Sequence, residues 1–271
     1  MTRAADLRTR FLALHLTPPD EPTPGILVMP NAFDIGSAKL IVTTGALAVA
    51  TTSSGHAATL GRPDQHVTRP ELVEHAAALS AAVDVPLSVD SEDCLADDLG
   101  GVEHTAALLA ATDAAGFSIE DYDPRAAAIR SVGDAAERVA AAKHGGGDLV
   151  LTARAENHLH GVVDLDDTIA RLIAYRDAGA DVVYAPGLAD LADISRLVDE
   201  VDCPVNVLAR PDSPTVAQLA AAGVARISVG GMFTWAAYGA VARAAEELLS
   251  AGTSTYVDGV LPGTVRSTAF S

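Results

Sequence analysis

Three features of the 271-residue sequence predict an α/β fold, a (β/α)8 barrel in which each of eight parallel strands is followed by a helix. Short apolar runs recur eight times, helix-like stretches lie between them, and glycine repeatedly stands at the passage from helix to strand. Periodicity alone does not separate a short strand from buried helix, but the Val and Ile content of the runs and their Gly, Pro and Asp boundaries favour strands. Eight such units close a barrel and leave no exposed parallel edge. An open doubly wound sheet uses the same alternation and is the alternative.

An initial helix and a Pro-rich turn at 18–24 precede the first run, ILVM at 26–29. The others are ALAVA at 46–50, VPLSV at 85–89, FSI at 117–119, LVL at 149–151, VVY at 182–184, VNVL at 205–208 and ISV at 227–229. Helices are expected over 70–83, 101–114, 133–143, 165–178, 190–200 and 214–222, with a last one around 233–250. Several start near Asp, Gly or Pro and finish near Gly, as capping preferences favour. In AAGFSIE (114–120), DAGADVVYA (177–185) and AAGVARISV (221–229), glycine can end the helix with a positive φ. The chain reads as one barrel domain over 1–271, with an N-terminal helix and turn at 1–24. Its Gly/Ser/Thr-rich tail at 251–271 reads as a partly ordered arm or subunit contact.

Composition narrows the partners. The chain is 49% hydrophobic but only 4% aromatic, so its core must be closely packed Ala, Val, Leu and Ile. A net charge of -18 repels phosphate backbones and anionic lipid, and neither nucleic acid nor membrane is expected as a partner. A small anionic substrate needs local cations to overcome that field. Cys94 and Cys203 are too few for a disulfide scaffold and read as free thiols. No secretory leader and no apolar stretch of about 18 residues is evident, which places the expected location in the cytoplasm.

In a barrel of this kind the chemistry gathers just after the strands. Asp90, Glu92 and Glu120 can supply hard oxygen ligands to Mg²⁺ or Mn²⁺, some through water. Asp93 and Asp121 read equally as solvated loop acids or helix caps. Arg154 can hold a substrate carboxylate by a charge-assisted, bidentate contact, with Glu156 orienting it or forming an ordinary ion pair. The backbone around Ser53, Ser54 and Gly55 forms either an anion-holding nest or a plain turn. His56 and His158 offer an acid, base or ligand, but HxH at 158–160 is not sufficient for a zinc site, and His158 and His160 read more simply as exposed loop residues. Asn31, Asp34, Asn157, Tyr184, Asn206 and Arg210 also fall at the rim. Gly230 and Gly231 suit either a phosphate cup or tight packing. No Walker loop, dinucleotide fingerprint or serine nucleophile elbow occurs.

The ordered segments PNAFDIGSAKL, ATTSSGHAATLGRPD, PLSVDSED, GFSIED, LTARAEN, YRDAGADVVYAPGL and PVNVLA, spanning roughly 25–245, resemble the isocitrate lyase/phosphoenolpyruvate mutase superfamily. The chain is most similar to its smaller mutase-like members, which include phosphonopyruvate hydrolases, oxaloacetate decarboxylases and 2-methylisocitrate lyases. The resemblance implies a (β/α)8 barrel, a homodimer or homotetramer with the last helix exchanged between subunits, and a Mg²⁺-dependent site for a small anionic 2-oxo acid. By the same resemblance Asp90, Glu92 and Glu120 hold the metal and Arg154 the substrate carboxylate. Thr52, Ser53 and Ser54 hold the pyruvyl end, and Asp64 lies near the reacting group. The implied activity is a lyase or hydrolase that cleaves a C–C or P–C bond through a metal-stabilised enolate. Alternatives are a phosphoenolpyruvate/phosphonopyruvate-type mutase and a noncatalytic ligand-binding or assembly relative.

Two departures matter. Where many relatives carry a sequence like DxDxGYG, this chain reads Asp90-Ser91-Glu92-Asp93-Cys94-Leu95-Ala96. The KKCGH loop of the lyase branch is absent, and YDPRAAAIRSVG has no cysteine, so cysteine-based cleavage of isocitrate or methylisocitrate is not expected.

Overall fold

Each of the eight apolar runs contributes to one parallel sheet in a computed structural model that describes residues 2–16 and 25–271. The Pro-rich turn at 18–24 lies outside the described residues. In chain order the strands are β1 (Leu27–Val28), β2 (Val49–Ala50), β3 (Leu87–Asp90) and β4 (Gly116–Glu120). A small antiparallel hairpin, β5 (Tyr122–Asp123) and β6 (Ala128–Ile129), follows. The sheet resumes with β7 (Val150–Arg154), β8 (Val182–Tyr184), β9 (Val205–Leu208) and β10 (Arg226–Ser228). Its spatial order is β1-β10-β9-β8-β7-β4-β3-β2, a curled parallel sheet whose outer strands are the first two of the chain. Beyond β1, Ala32 N–H donates to Ala50 O at 2.7 Å and Ala50 N–H to Pro30 O at 3.0 Å. Asn31 secures the same corner: its amide nitrogen donates to Thr51 O, and its Oδ1 accepts the N–H groups of Val229 and Gly230.

The helices are α1 (Arg3–His15), α2 (Ile35–Thr43), α3 (Ser53–Thr59), α4 (Arg69–Ala82), α5 (Leu99–Ala110) and α6 (Val132–Gly146). Then come α7 (Leu165–Asp177), α8 (Leu191–Val201), α9 (Val216–Ala221), α10 (Met232–Ser250) and α11 (Gly263–Phe270). The sequence reading lacked α2, α3 and the hairpin. Both helices begin at side-chain caps that were legible: Asp34 Oδ1 accepts from Ser37 N–H at 2.7 Å, and Thr52 Oγ1 from Gly55 N–H at 3.4 Å. Gly36 and Ser37, after Ile35 in α2, and Ser53, Ser54 and Gly55, after the cap of α3, hid the helical period.

Glycine at the helix-to-strand passages has two causes. Gly179 (φ 106°) and Gly223 (φ 80°) take the left-handed conformation expected of them. Gly116 does not; it is the first residue of β4, where a Cβ would lie 2.6 Å from Val150 O and 2.8 Å from the Phe11 ring. Close approach, not backbone angle, requires glycine there. Phe11 itself is fully buried on α1, in a cluster with Leu7, Leu27, Met29, Val150 and Val182. Burying a side chain of that size contributes roughly 1.5–3 kcal/mol, which holds α1 against the N-terminal ends of the strands.

The tail is ordered: α11 packs on α2, burying Ala269. By contrast α10 buries only Thr234 and exposes Met232, Trp235, Val241 and Leu249, the last at 86%. Cys94 is buried and Cys203 half-buried, both free. Among the described residues no helix is long and apolar enough to cross a membrane.

Candidate active site

Strand alternation builds the site. In β3, β4 and β7, Val89, Phe117, Ile119, Leu151 and Ala153 join the buried apolar core, so the intervening Ser88, Asp90, Ser118, Glu120, Thr152 and Arg154 face the other side. These strands are neighbours, and Glu120 pairs in register with Arg154. Three charged side chains therefore end adjacent strands at one end of the sheet.

Arg154 is the hub. Its Nη1 lies 2.8 Å from Asp90 Oδ1, its Nη2 2.7 Å from Glu156 Oε1 and 3.3 Å from Glu120 Oε2. Burial opposes the guanidinium charge, but Glu156, Glu120 and Asp90 outweigh it and hold Arg154 well above its ordinary pKa. Tyr184 lies beneath, with its ring centroid 5.5 Å from the guanidinium carbon, a cation–π distance. Burial raises Glu120 well above the ordinary carboxylate range against the pull of Arg154; Glu156 is raised likewise. Asp90 is held by further donors, accepting Ser53 N–H at 2.9 Å and Ser118 Oγ–H at 3.2 Å. The Ser53 amide, expected to face an anionic ligand, thus holds a carboxylate of the chain itself. Gln65, which sequence reasoning missed, donates to Glu120 Oε1 at 3.2 Å.

Above these strand ends is a cavity of about 150 Å³, lined by Thr52, Ser53, Ser54, Asp64, Asp90 and Arg154 and reaching down to Tyr184, Asn206 and Arg226. Room for on the order of ten water-sized atoms suits a small organic acid. Burial and then the nearby Asp90 raise the Asp64 carboxyl. At the mouth, a Cβ on Gly231 would meet Ser54 Oγ at 2.5 Å, so Gly231 serves close packing. Gly230 N–H is taken by Asn31.

Glu92 stands apart. It lines a smaller neighbouring cavity with Asp90 and the stacked rings of His56 and His75, whose centroids are 3.7 Å apart. Both Glu92 carboxylate oxygens are buried and unpartnered. Burial, then Asp90, Asp64 and Asp93, push its pKa up to about 8 from an ordinary 4.5. Between those values the folded carboxyl keeps a proton that the unfolded chain has released, so stability falls as pH rises through the window. The melting temperature of metal-free protein is expected to decline from about pH 5 to about pH 8, with a flatter decline in Glu92→Gln. Equal slopes for the two proteins would remove Glu92 as the cause.

Other rim residues serve the frame. Asp93 and Asp121 are 1% and 2% exposed, not solvated. Asp121 accepts from Tyr175 Oη at 2.6 Å, Arg171 Nη1 at 3.1 Å and Glu156 N–H at 2.8 Å. His158 is half-buried against Thr168 Oγ1, and exposed His160 stacks on Tyr122 of the hairpin. Arg210 pairs with Asp212 in the loop after β9.

Among the described residues, no group of three or more His, Cys, Asp or Glu side chains stands arranged as a metal site. The donor chemistry nevertheless fits a hard divalent cation. Asp90, Glu120 and Glu156 crowd the guanidinium of Arg154, Asp64 and Glu92 lie near enough to Asp90 for their charges to repel, and the Glu92 oxygens have no partner.

The order and placement of these residues have counterparts. The sequence profile of phosphoenolpyruvate phosphomutase matches residues 20–249. The chain belongs to the phosphoenolpyruvate phosphomutase family. Its wider superfamily, shared with isocitrate lyase, is known for metal-assisted cleavage of C–C and C–P bonds in 2-oxo acids. The family fold is seen in the crystal structure of a candidate lyase/mutase from Burkholderia cenocepacia J2315, 42% identical, with a TM-score of 0.92 over 99% of this chain and 97% of that one. An uncharacterized protein of Mycobacterium tuberculosis (strain ATCC 25618 / H37Rv) is 36% identical over 205 residues, 75% of this chain and 77% of the relative. Oxaloacetate decarboxylase 2 of Pseudomonas fluorescens (strain Pf0-1) is 30% identical over 181 residues, 64% of this chain and 61% of that protein.

Proposed function

We propose that this family member is a Mg²⁺- or Mn²⁺-dependent lyase or hydrolase that cleaves a C–C or P–C bond next to the carbonyl of a small 2-oxo acid. The observation that carries this reading is the convergence of Asp90, Glu120 and Glu156 on Arg154 at the wall of a cavity sized for such an acid. Asp90, Glu92 and Glu120 are the residues that would hold the metal, partly through water. When bound, the metal supplies Lewis-acid stabilisation of negative charge developing on the substrate's carbonyl oxygen. Arg154 orients the substrate carboxylate by its planar donors, and Glu156 holds that guanidinium in place. Thr52, Ser53 and Ser54 bound the pyruvyl end, and Asp64 is the candidate for moving a proton at the reacting carbon. The oxaloacetate decarboxylase relative supports a C4 oxo acid as the first substrate to try.

The parallel bridge between Asn31 and Ala50 supports a closed barrel, and the exposed apolar residues of α10 support exchange of that helix in a homodimer or homotetramer. A screen of C4–C7 oxo and hydroxy acids and phosphonopyruvate, with and without Mg²⁺, is expected to show metal-dependent pyruvate formation by a preparation whose light-scattering mass exceeds the 27.7 kDa of one chain. Absence of product together with absence of metal-dependent oxalate binding would sink the catalytic reading. Conversion of phosphonopyruvate to phosphoenolpyruvate without release of pyruvate would favour a mutase.

A further inference from the structure

Asp64 lines the cavity from a turn that is itself exposed. Between α3 and α4, residues 61–64 and 66 are exposed, and Gln65 is turned partly inward. Exposed segments with few buried contacts open most readily, so a carboxyl carried on one needs an anchor. Arg62 Nη1 donates to Glu71 Oε1 of α4 at 2.9 Å, and His66 Nδ1 lies 2.8 Å from Asp64 O, contacts that tie the turn to itself and to the helix it precedes.

Gln65 reaches across to the sheet. Its Nε2 donates to Glu120 Oε1 at 3.2 Å, while its backbone N–H donates to Asp64 Oδ1 at 3.0 Å. Arg154 takes the other oxygen, Glu120 Oε2, at 3.3 Å. One residue therefore touches both the strand-end acid placed to hold a cation and the acid placed to move a proton.

Two features show that this side chain does more than shape the turn. Gln65 has a φ of 65°, a left-handed conformation that a non-glycine residue keeps only where its surroundings enforce it. Its Oε1 is buried without a partner, which costs free energy that an apolar side chain would not incur. Glycine would follow the same backbone path without strain and without an orphaned acceptor. An ionised Glu120 only accepts hydrogen bonds, so the amide nitrogen must face it and Oε1 is left for a donor that arrives with a ligand.

We infer that Gln65 is a positioning residue that ties the α3–α4 turn to Glu120, so that a cation held at Glu120 also fixes Asp64 at the cavity. This rests on the reading of Asp90, Glu92 and Glu120 as the cation's ligands, and adds the residue through which that site and the proton-moving acid act together. Carboxylates that bind metals depend on hydrogen-bond partners to orient them.

Calorimetry and hydrogen exchange of the full chain, with Mg²⁺ as the added ligand, test this. Wild type is expected to bind Mg²⁺ and, when saturated, to exchange more slowly over residues 61–67. Gln65→Leu removes the donor but keeps a side chain of similar size. It is expected to bind Mg²⁺ about tenfold more weakly and to show no slowing at saturation, while its metal-free melting temperature stays at the wild-type value. Should Gln65→Leu melt lower or fail to fold, Gln65→Gly decides, because it removes the same donor and relaxes the left-handed φ. Wild-type exchange that Mg²⁺ leaves unchanged, or slowing or affinity that survives in the folded variant, overturns the inference alone. Failure of both variants to fold also overturns it, since Gln65 would then be a structural residue. Absence of Mg²⁺ and Mn²⁺ binding by wild type overturns the metal reading and this inference with it.

Discussion

Arg154→Met is expected to lower the unfolding free energy by about 3–5 kcal/mol, because it removes the cation from among three carboxylates and leaves their repulsion unmatched. Asp90, Glu120 and Glu156 are 17%, 5% and 4% exposed at the side chain, so water cannot replace the guanidinium. Urea unfolding measures the loss. Protonation of Glu120 and Glu156, which burial already favours, offsets part of it, so the deficit is expected to shrink as pH falls. In the proposed reaction the same substitution removes the group that orients the substrate carboxylate, with an expected loss of about 10²–10³ in kcat/KM, the scale of deleting one preorganised donor. Arg154→Lys keeps the charge but not the planar arrangement of donors, and is expected to recover stability more than activity. If Arg154→Met unfolded at the wild-type urea concentration, the acids would not depend on this cation.

Asp93→Ala is expected to destabilise the chain by a similar amount, about 3–5 kcal/mol, for the opposite reason: it strips the anion from among cations. Asp93 Oδ2 lies 2.7 Å from Arg125 Nη2, 3.4 Å from Arg130 Nη2 and 3.5 Å from Arg138 Nη2. Its Oδ1 accepts Leu95 N–H at 3.0 Å. The surrounding turn is strained, since Glu92, Cys94 and Leu95 have φ of 53°, 63° and 50°, the left-handed region that costs a non-glycine residue roughly 1–2 kcal/mol. Here the chain follows a backbone path that glycine takes without strain, with side chains attached. Arg138 donating to the carbonyls of Asp93 and Ala96, and Arg69 to that of Leu95, help hold it. Hydrogen exchange over 91–98 is expected to accelerate in Asp93→Ala together with the drop in unfolding free energy. A variant within about 1 kcal/mol of wild type, with unchanged exchange, would show that the arginines do not need this acid.

The same loop bears on whether the site is preserved. Read as sequence, Asp93, Cys94, Leu95 and Ala96 stand where the family resemblance implies glycine-rich residues. In the fold, Asp93 anchors the turn to Arg125 and Arg130 of the hairpin segment and to Arg138 of α6, so Asp90 and Glu92 are held by ion pairs in place of glycine's conformational freedom. Positions 93, 125, 130 and 138 are too far apart in sequence for any local pattern to announce that cluster.

The strands, the larger helices and the strand-end position of Asp90, Glu120 and Arg154 were legible in the sequence because each follows from short-range periodicity and chain direction. Apolar runs punctuated by Gly and Asp mark strands whatever surrounds them, and the residue after each run must fall at the C-terminal end. Caps at Asp34 and Thr52 were equally local, and a stricter reading of them would have found α2 and α3. What only the tertiary structure decided is which charges meet. It gave Arg154 three acids and Arg226 none, buried Asp93 among arginines, and turned Glu92 toward the His56–His75 pair. Charge pairing and burial depend on contacts between residues tens to hundreds of positions apart, and no period along the chain carries that information.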